Sequence, residues 1–550
     1  MTAVGTLLLE LSESDRPALL YGDRSWSYRE LVAEGRRRAA WFESVRDPQR
    51  PPHIGVLLDN VPDYLFWLTG AALSGSVIVG INATYRGEQL GQLVEYTDCQ
   101  AIVTSSNLVG LLDDVDTAVA PEMRLVVDAE DYDQRLDAAA EVTVEYQPAD
   151  DDLFMLIFTS GSTGLPKAVR CTQGRFGRTG AHVANIASLG DDDVAYAPLP
   201  FFHAASMFTG WASAINAAIP IATRDKFSRS ATVGDLRKFG ATYMTYTGKV
   251  LNYILSMPED PTDTGLGLRL AIGNEASEHD IREFARRFNC QVRDSYGSTE
   301  GVIIVRRDET MPPGALGTAN ESVKVVDPET GVECPRAHVG AHGQITNLDE
   351  AIGELVETDP ASGFEGYYKN EAATAERFRG GWYWSGDLAY RDAEGWFFFA
   401  GRTNDWLRVD GENFSAGPVE KILARFPGVR SVAVYAVPDD PVGDRVMAAL
   451  EMTGQVDDGL GNAAFDPAAF DLAAFEAFLS EQPDLGPKWV PSFVRVDVEL
   501  PKLSSMKIDK KALRAQAWEA QRVYWRPSRN EGLRLLDADG TVGLAPLLRR

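Results

Sequence analysis

Ile157-Phe-Thr-Ser-Gly-Ser-Thr-Gly-Leu-Pro-Lys-Ala-Val-Arg170 is the stretch from which the rest of the chain takes its meaning. The apolar run Leu153 to Phe158 has the length of a buried strand, and it empties into a segment built almost wholly of glycine and hydroxyl residues. Gly161 and Gly164 can take backbone angles closed to other residues, so successive N–H groups can turn toward one concavity and cradle an anion. Thr159, Ser160, Ser162 and Thr163 add hydroxyl donors, and Lys167 adds a mobile positive charge. That is equipment for a polyphosphate. It is not the common phosphate loop, in which Gly-Lys is followed by Ser or Thr, because Pro166-Lys167-Ala168 breaks that pattern. By composition alone the run also suits a flexible Gly/Ser linker.

At 550 residues the chain is several times a typical domain, which predicts one large domain and at least one smaller one. A formal charge of −27 argues against a protein held on nucleic acid or anionic lipid by general electrostatics. Positive charge must then be concentrated locally wherever a nucleotide binds. Cys99, Cys171, Cys290 and Cys334 are widely spaced and form no Cys-x-x-Cys pair, which fits free thiols in a reducing cytoplasm better than disulfides or zinc. The segment Met1 to Asp15 has no basic region followed by an apolar core, so no secretion signal is expected. The uncharged stretch Tyr64 to Ala83 nearly reaches bilayer length, but Gly70, Gly75 and Gly80 interrupt it. Helix, turn and buried strand are the expectation there.

Elsewhere the pattern alternates between periods. Residues 17–30 read as two short strands around Gly22-Asp23 and then a helix from Ser27; His53 to Leu58 is a strand, Pro62 to Leu73 a helix and Val77 to Ile81 a strand. This predicts an α/β fold, a large N-terminal domain of layered sheets and helices. Leu268 to Ile272 is a strand ending in Gly273-Asn274-Glu275-Ala276. The next strand ends at Val292, before Asp294-Ser295-Tyr296-Gly297-Ser298-Thr299-Glu300-Gly301. Parallel sheets place ligands at the carboxyl ends of their strands, so both polar turns are expected pocket walls. Pro198 to His203 follows a strand at Val194 to Ala197; a lone histidine there reads as structural. Asp387, in Trp382-Tyr-Trp-Ser-Gly-Asp387, can accept two hydroxyl protons at once, as a ribose diol requires.

Farther on, Pro418 to Phe426 reads as a helix, and Ser431 to Val437 and Val446 to Met452 as strands. Phe470 to Leu479 reads as an amphipathic helix whose Leu472, Phe475, Phe478 and Leu479 share a core-facing side. Gln455 to Asp466 is expected to be a surface loop, and residues past Tyr524 an ordered decoration or a tail.

As written, Phe158-Thr-Ser-Gly-Ser-Thr-Gly-Leu-Pro-Lys167 closely resembles the signature of the adenylate-forming superfamily, which includes acyl-CoA synthetases, peptide-synthetase adenylation domains and firefly luciferase. Five motifs recur in order over roughly residues 15 to 520. Ala168 stands where many members have a second glycine. The resemblance implies that Gly273, Asn274 and Glu275 lie along adenine, that Tyr296 stacks on the base between Ser295 and Gly297-Ser298, and that Asp294 accepts from the adenine amino group. It further implies that Thr299 and Glu300 approach the phosphates and Mg²⁺, with Glu300 as metal ligand, and that Asp387 and Arg402 hold the ribose. His203 becomes a gate beside the substrate carboxylate and α-phosphate. Leu500-Pro-Lys-Leu-Ser-Ser-Met-Lys-Ile508 resembles the closing motif, with Lys507 as the mobile catalytic lysine and Met506 in place of the usual glycine.

Gly411-Glu-Asn-Phe-Ser415 looks most like the fatty-acid-transport-protein branch of very-long-chain acyl-CoA synthetases. The implied protein is a fatty acid–CoA ligase using ATP, Mg²⁺ and CoA. Its implied domains are 1–402 for nucleotide and acyl binding and 403–550 as a small mobile α+β domain, swinging about Asn404 between the two half-reactions. Phe201, Phe202, Trp211 and Tyr246 are candidates for the acyl lining. Expected partners are a fatty acid, ATP and CoA and no nucleic acid; the expected location is cytoplasmic, with peripheral membrane contact and a homodimer left open. Two rivals stand beside this reading: an acyl-AMP ligase serving a carrier protein, and a non-catalytic fatty-acid uptake protein on the same fold.

Overall fold

The computed structural model describes residues 2–536 apart from 114, 116, 160–165, 249, 308–309, 313, 339–344, 361–362, 403–405, 410–411, 440–442, 453–465, 483–484, 487, 504–506, 519, 521 and 529–530. Contacts divide the chain into two compact units, Met1–Val302 with Ala361–Glu376, and Ile303–Pro360 with Arg377–Arg550.

The first unit holds two largely parallel sheets. One runs Gln291–Asp294, Leu270–Asn274, Tyr243–Thr247, Ala195–Tyr196, Ile221–Thr223, Pro17–Tyr21 and Arg24–Ser27 from edge to edge, antiparallel only at the last pair. The other runs Arg124–Val126, Ala101–Thr104, His53–Val56, Val77–Gly80, Leu153–Thr159 and Lys167–Thr172, again antiparallel only at the last pair. Strands of the parallel core are apolar in continuous runs, as burial on both faces requires. A single buried cluster takes in Ile54, Ile78 and Phe154 from one sheet and Ala195, Tyr243 and Ile272 from the other, together with Trp67 and Trp211 from the helices. Each fully buried large apolar side chain contributes about 1.5–3 kcal/mol relative to exposure.

Local signals set the boundaries. Ser27 caps the helix Tyr28–Val45 by accepting from Glu30 N, while the Glu30 carboxylate accepts from Ser27 N at 2.7 Å, a reciprocal capping box. Helix Pro62–Ser74 stops at Gly75, whose φ of +72° closes it before the strand Val77–Gly80. No helix among the described residues is long and apolar enough to cross a membrane. The strand expected at 194–197 shortens to Ala195–Tyr196, with Pro198 and Pro200 following it.

In the second unit, Val323–Val326, Gly353–Glu357, Trp382–Arg391, Phe378–Arg379 and Phe397–Arg402 form a five-stranded antiparallel sheet. A separate seven-stranded sheet contains Trp406–Val409, Glu412–Ser415, Val429–Asp439, Gly443–Met452, Phe493–Asp497, Val523–Trp525 and Arg534–Leu535. The chain passes from one sheet to the other across 403–405, so the expected pivot Asn404 lies outside the described residues, as does most of the expected loop 455–466. Helix Leu472–Glu481 begins two residues later than its apolar pattern because Asp471 caps it, and its Phe475 and Leu479 are buried in the core. Among the described residues past Tyr524, Arg534–Leu535 forms a strand paired to Val523–Trp525.

Candidate active site

The signature run forms a hairpin. Leu153–Thr159 pairs antiparallel with Lys167–Thr172, and Thr159 stands opposite Lys167 in the register, so these two residues close the glycine and hydroxyl loop between them. Ser160, Gly161, Ser162, Thr163 and Gly164 lie outside the described residues. Lys167 Nζ is 5.2 Å from the centre of the Tyr367 ring and 3.7 Å from the Glu376 carboxylate. Tyr367 donates its hydroxyl to Glu300 Oε1 at 2.7 Å, and Glu300 is only 6% exposed. One tyrosine thus touches both the cation and the acid that the sequence motifs single out. Among the described residues no group of three or more His, Cys, Asp or Glu gathers to hold a metal. A single carboxylate is nonetheless what Mg²⁺ asks of a protein when substrate phosphates and water complete its shell, so Glu300 fits the ion.

Thr299 is held from behind. Arg175, 5% exposed at the start of helix Gln173–Ile186, donates to the Thr299 carbonyl, to Arg170 O at 3.3 Å and to Cys171 Sγ at 3.5 Å, and stacks over Phe208. Gly301 takes φ +68°, and a Cβ there would lie 2.8 Å from the same guanidinium. A buried guanidinium therefore sets the path of the Thr299-Glu300-Gly301 turn.

The two polar turns at the carboxyl ends of the parallel strands stand side by side. Asp294 Oδ2 accepts from Tyr246 OH at 3.0 Å and from Ala276 N at 2.9 Å. Ser295 N donates to Gly273 O at 2.8 Å, and Thr247 Oγ1 donates to Asn274 Oδ1 at 2.6 Å. A Cβ on Gly273 would lie 2.2 Å from Tyr246 O, so the strands can approach this closely only at glycine. Glu275 adopts φ +65°, uncommon for a residue with a side chain and frequent at ligand-binding turns. Ser298, Gly297 and Tyr296 continue the same turn.

His203 is half-buried with its ring 4.4 Å from that of Phe202, and its carbonyl accepts from Met207 N at the start of the π-helix Ser206–Ala212. Wide helical turns of this kind recur at functional sites. The four acyl-lining candidates are all buried; Trp211 stacks on Phe154 at 5.7 Å, and Tyr246 spends its hydroxyl on Asp294. Ser206 Oγ and Trp211 Nε1 of the π-helix and Thr245 Oγ1 of strand Tyr243–Thr247 are buried with no hydrogen-bond partner, a costly state that calls for explanation.

In the second unit, Asp387 is 8% exposed and sits directly opposite Arg402 in the antiparallel register. Its N–H donates to Ser385 Oγ at 3.0 Å, and Ser385 Oγ donates to Leu355 O at 2.6 Å. Gly386, at φ +75°, donates to Glu354 Oε1 at 2.7 Å. Burial pushes the Glu354 carboxyl above the usual range, against the lowering effect of that N–H and of Arg379. Lys507 lies in the loop between Lys502 and Ile508, which pair as an antiparallel bridge.

All four cysteines are free; burial pushes the thiols of Cys99, Cys171 and Cys290 up to about 12 and that of Cys334 to about 11, which suppresses the nucleophilic thiolate at neutral pH. Sequence reasoning missed Tyr367 and Arg175. The signal available for the first was the aromatic pair after a glycine, Gly366-Tyr367-Tyr368; Arg175 had none.

Comparison with known proteins gives one consistent picture. Residues 11–368 match the model of the AMP-binding enzyme family. The chain is 44% identical over 530 residues to a steroid-22-oyl-CoA synthetase of Rhodococcus jostii, covering 96% of this chain and 93% of the relative. It is 42% identical over 523 residues to the medium/long-chain-fatty-acid–CoA ligase FadD17 of Mycobacterium tuberculosis, covering 95% and 98%. Among solved structures, ATP-bound MatB from Rhodopseudomonas palustris superposes with a TM-score of 0.77 at 23% identity, covering 93% of this chain and 98% of that one, which speaks to the fold.

Proposed function

The chain belongs to the AMP-binding enzyme family, the adenylate-forming superfamily, and from that premise we propose that this AMP-forming acyl-CoA ligase, which uses ATP, Mg²⁺ and CoA, acts on long or very long fatty acids or on a steroid acid of comparable bulk. The observation that carries the assignment of chemistry to residues is the Tyr367 bridge, which sets Lys167 and Glu300 on one ring beside the glycine and hydroxyl loop. The names borne by the relatives at 44% and 42% identity support the bulky acyl group.

In the first half-reaction a carboxylate oxygen attacks the α-phosphorus of ATP, the bond to the leaving oxygen breaks, and acyl-adenylate and pyrophosphate result. Negative charge gathers on phosphorus oxygens. Lys507 and the loop around Thr159 and Lys167 oppose that charge, Asp294 and Tyr296 hold adenine, Asp387 with Arg402 holds the ribose, and His203 borders the carboxylate. Glu300, with Thr299 beside it, would hold Mg²⁺, which would neutralise phosphate charge when bound. In the second half-reaction the CoA thiol attacks the acyl carbonyl and AMP departs, so no protein cysteine is needed. Residues 403–550, with Asn404 as the expected pivot, form the part that moves between the two steps.

Thioester formation measured across carboxylates from acetate to very long chains, with a C22 steroid acid included, tests the substrate reading. The highest kcat/KM is expected for the long-chain or steroid acids; an optimum at acetate or benzoate would overturn it. Glu300→Gln keeps an oxygen but loses the charge that holds a hard cation, so the Mg²⁺ concentration for half-maximal adenylation should rise by about tenfold or more while nucleotide binding changes less. Tyr367→Phe, which leaves the carboxylate in place, should shift it less. An unchanged Mg²⁺ response in Glu300→Gln would remove Glu300 as the ligand.

A further inference from the structure

Lys507 sits in a loop pinned at both ends. Lys502 and Ile508 pair as an antiparallel bridge, Leu503 N donates to Lys507 O at 2.8 Å, and Asp509 N donates to Pro501 O at 2.8 Å, so the chain turns back on itself with Lys507 near the base of the turn. The entering segment is gripped by Glu451. This carboxylate is 1% exposed near the end of strand Gly443–Met452. Its Oε2 accepts from Leu500 N at 3.1 Å and lies 3.5 Å from Lys502 Nζ, and its Oε1 lies 3.8 Å from Arg430 Nε. On the leaving side, Glu420 meets the first residue of the following helix through its side chain alone. Its Oε1 takes Val434 N at 2.7 Å and Lys510 Nζ at 2.8 Å, while Asp509 caps the helix Lys510–Gln516 through Ala512 N.

Placing a carboxylate inside a sheet core adds little stability, because desolvation costs about as much as pairing returns, and an apolar residue of similar size often serves the fold as well or better. What a buried, multiply bonded carboxylate supplies is a fixed position for the groups that bind it. Here those groups are one backbone N–H and one lysine ammonium, two residues apart, on the segment that leads into Lys507.

We propose that Glu451 is a positioning residue for adenylation: through Leu500 N–H and Lys502 it fixes the base of the 502–508 loop and thereby the place from which Lys507 reaches the reacting phosphate. The inference rests on the role given to Lys507 above. A side chain that acts only through Lys507 loses its effect once Lys507 is gone, whereas one that merely supports the fold keeps it.

The test is carboxylate-dependent ATP–pyrophosphate exchange by the full chain in a double-mutant cycle. Glu451→Gln keeps an acceptor for Leu500 N but removes the charge facing Lys502 and Arg430. It should lower the exchange kcat by about tenfold, the scale of a small misplacement of a reacting group, with KM for ATP and acid changed by less than about twofold. In a Lys507→Ala background the same substitution should cost less than about twofold. Lys502→Met should repeat the tenfold loss and Lys502→Arg should recover most of it, and this pair carries the test if Glu451→Gln does not fold. Equal losses from Glu451→Gln in both backgrounds, or none in either, would overturn the inference. Normal exchange by Lys507→Ala would remove the Lys507 reading and the inference with it. Impaired Lys507→Ala beside a normal Glu451→Gln overturns the inference alone.

Discussion

Lys507→Ala is expected to lower the rate of acyl-adenylate formation by about two to three orders of magnitude, the usual loss when one preorganised contact to developing charge is removed. The argument is electrostatic. As the carboxylate attacks, charge moves onto the phosphorus oxygens and the departing pyrophosphate, and an ammonium held at that place stabilises the transition state more than the ground state. The lysine is not a member of the buried hydrophobic clusters of the second unit. The melting temperature should therefore stay within a degree or two of the parent. A fall in kcat with little change in KM for ATP is the expected pattern, since an interaction made only in the transition state moves kcat and kcat/KM together. Wild-type exchange by this variant would remove Lys507 from the mechanism.

Asp263→Ala is expected to destabilise the first unit by about 3–5 kcal/mol, the cost of stranding a buried charge. Asp263 and Arg287 are 1% and 3% exposed and 2.8 Å apart, and Arg287 also donates to Met257 O at 2.7 Å and Pro258 O at 2.8 Å. Alanine leaves the guanidinium buried with only the carbonyls of Ile254, Met257 and Pro258 as acceptors, and a guanidinium cannot shed its proton to escape the cost. Asp263→Asn keeps an acceptor of the same shape and should cost less. The pair matters to the site because Arg287 anchors the far end of helix Glu278–Phe288, whose first residue follows the Gly273–Ala276 turn and its Ser277 cap. Urea unfolding followed by tryptophan fluorescence measures the effect. A midpoint unchanged in Asp263→Ala would contradict the burial described here.

Legibility in the sequence followed contact range. Strands, turns and caps that depend on neighbours within a few residues were readable: Gly75 ends its helix, Ser27 begins one, and the turns after Asn274 and Asp294 fall at strand ends as their composition requires. The register that sets Asp387 opposite Arg402 follows from two adjacent antiparallel strands. Partners far apart in the chain were not readable. Tyr367 reaches Glu300 across 67 positions, Arg175 reaches Thr299 across 124, and Leu500 reaches Glu451 across 49. No local pattern encodes such contacts, because each exists only after the sheets and helices have packed. The same holds for the division of contacts, which returns Ala361–Glu376 to the unit of residues 1–302 although the intervening segment belongs to the other unit.

The central claim is that the carboxylate attacks the α-phosphorus and that CoA then displaces AMP. Its most direct test follows the oxygen. With a long-chain acid labelled in its carboxyl group with heavy oxygen, plus ATP, Mg²⁺ and CoA, mass spectrometry of the products should find one heavy oxygen in each AMP, because the attacking oxygen stays on phosphorus when the carbonyl passes to sulfur. Unlabelled AMP, or heavy oxygen in inorganic phosphate released beside ADP, would contradict it.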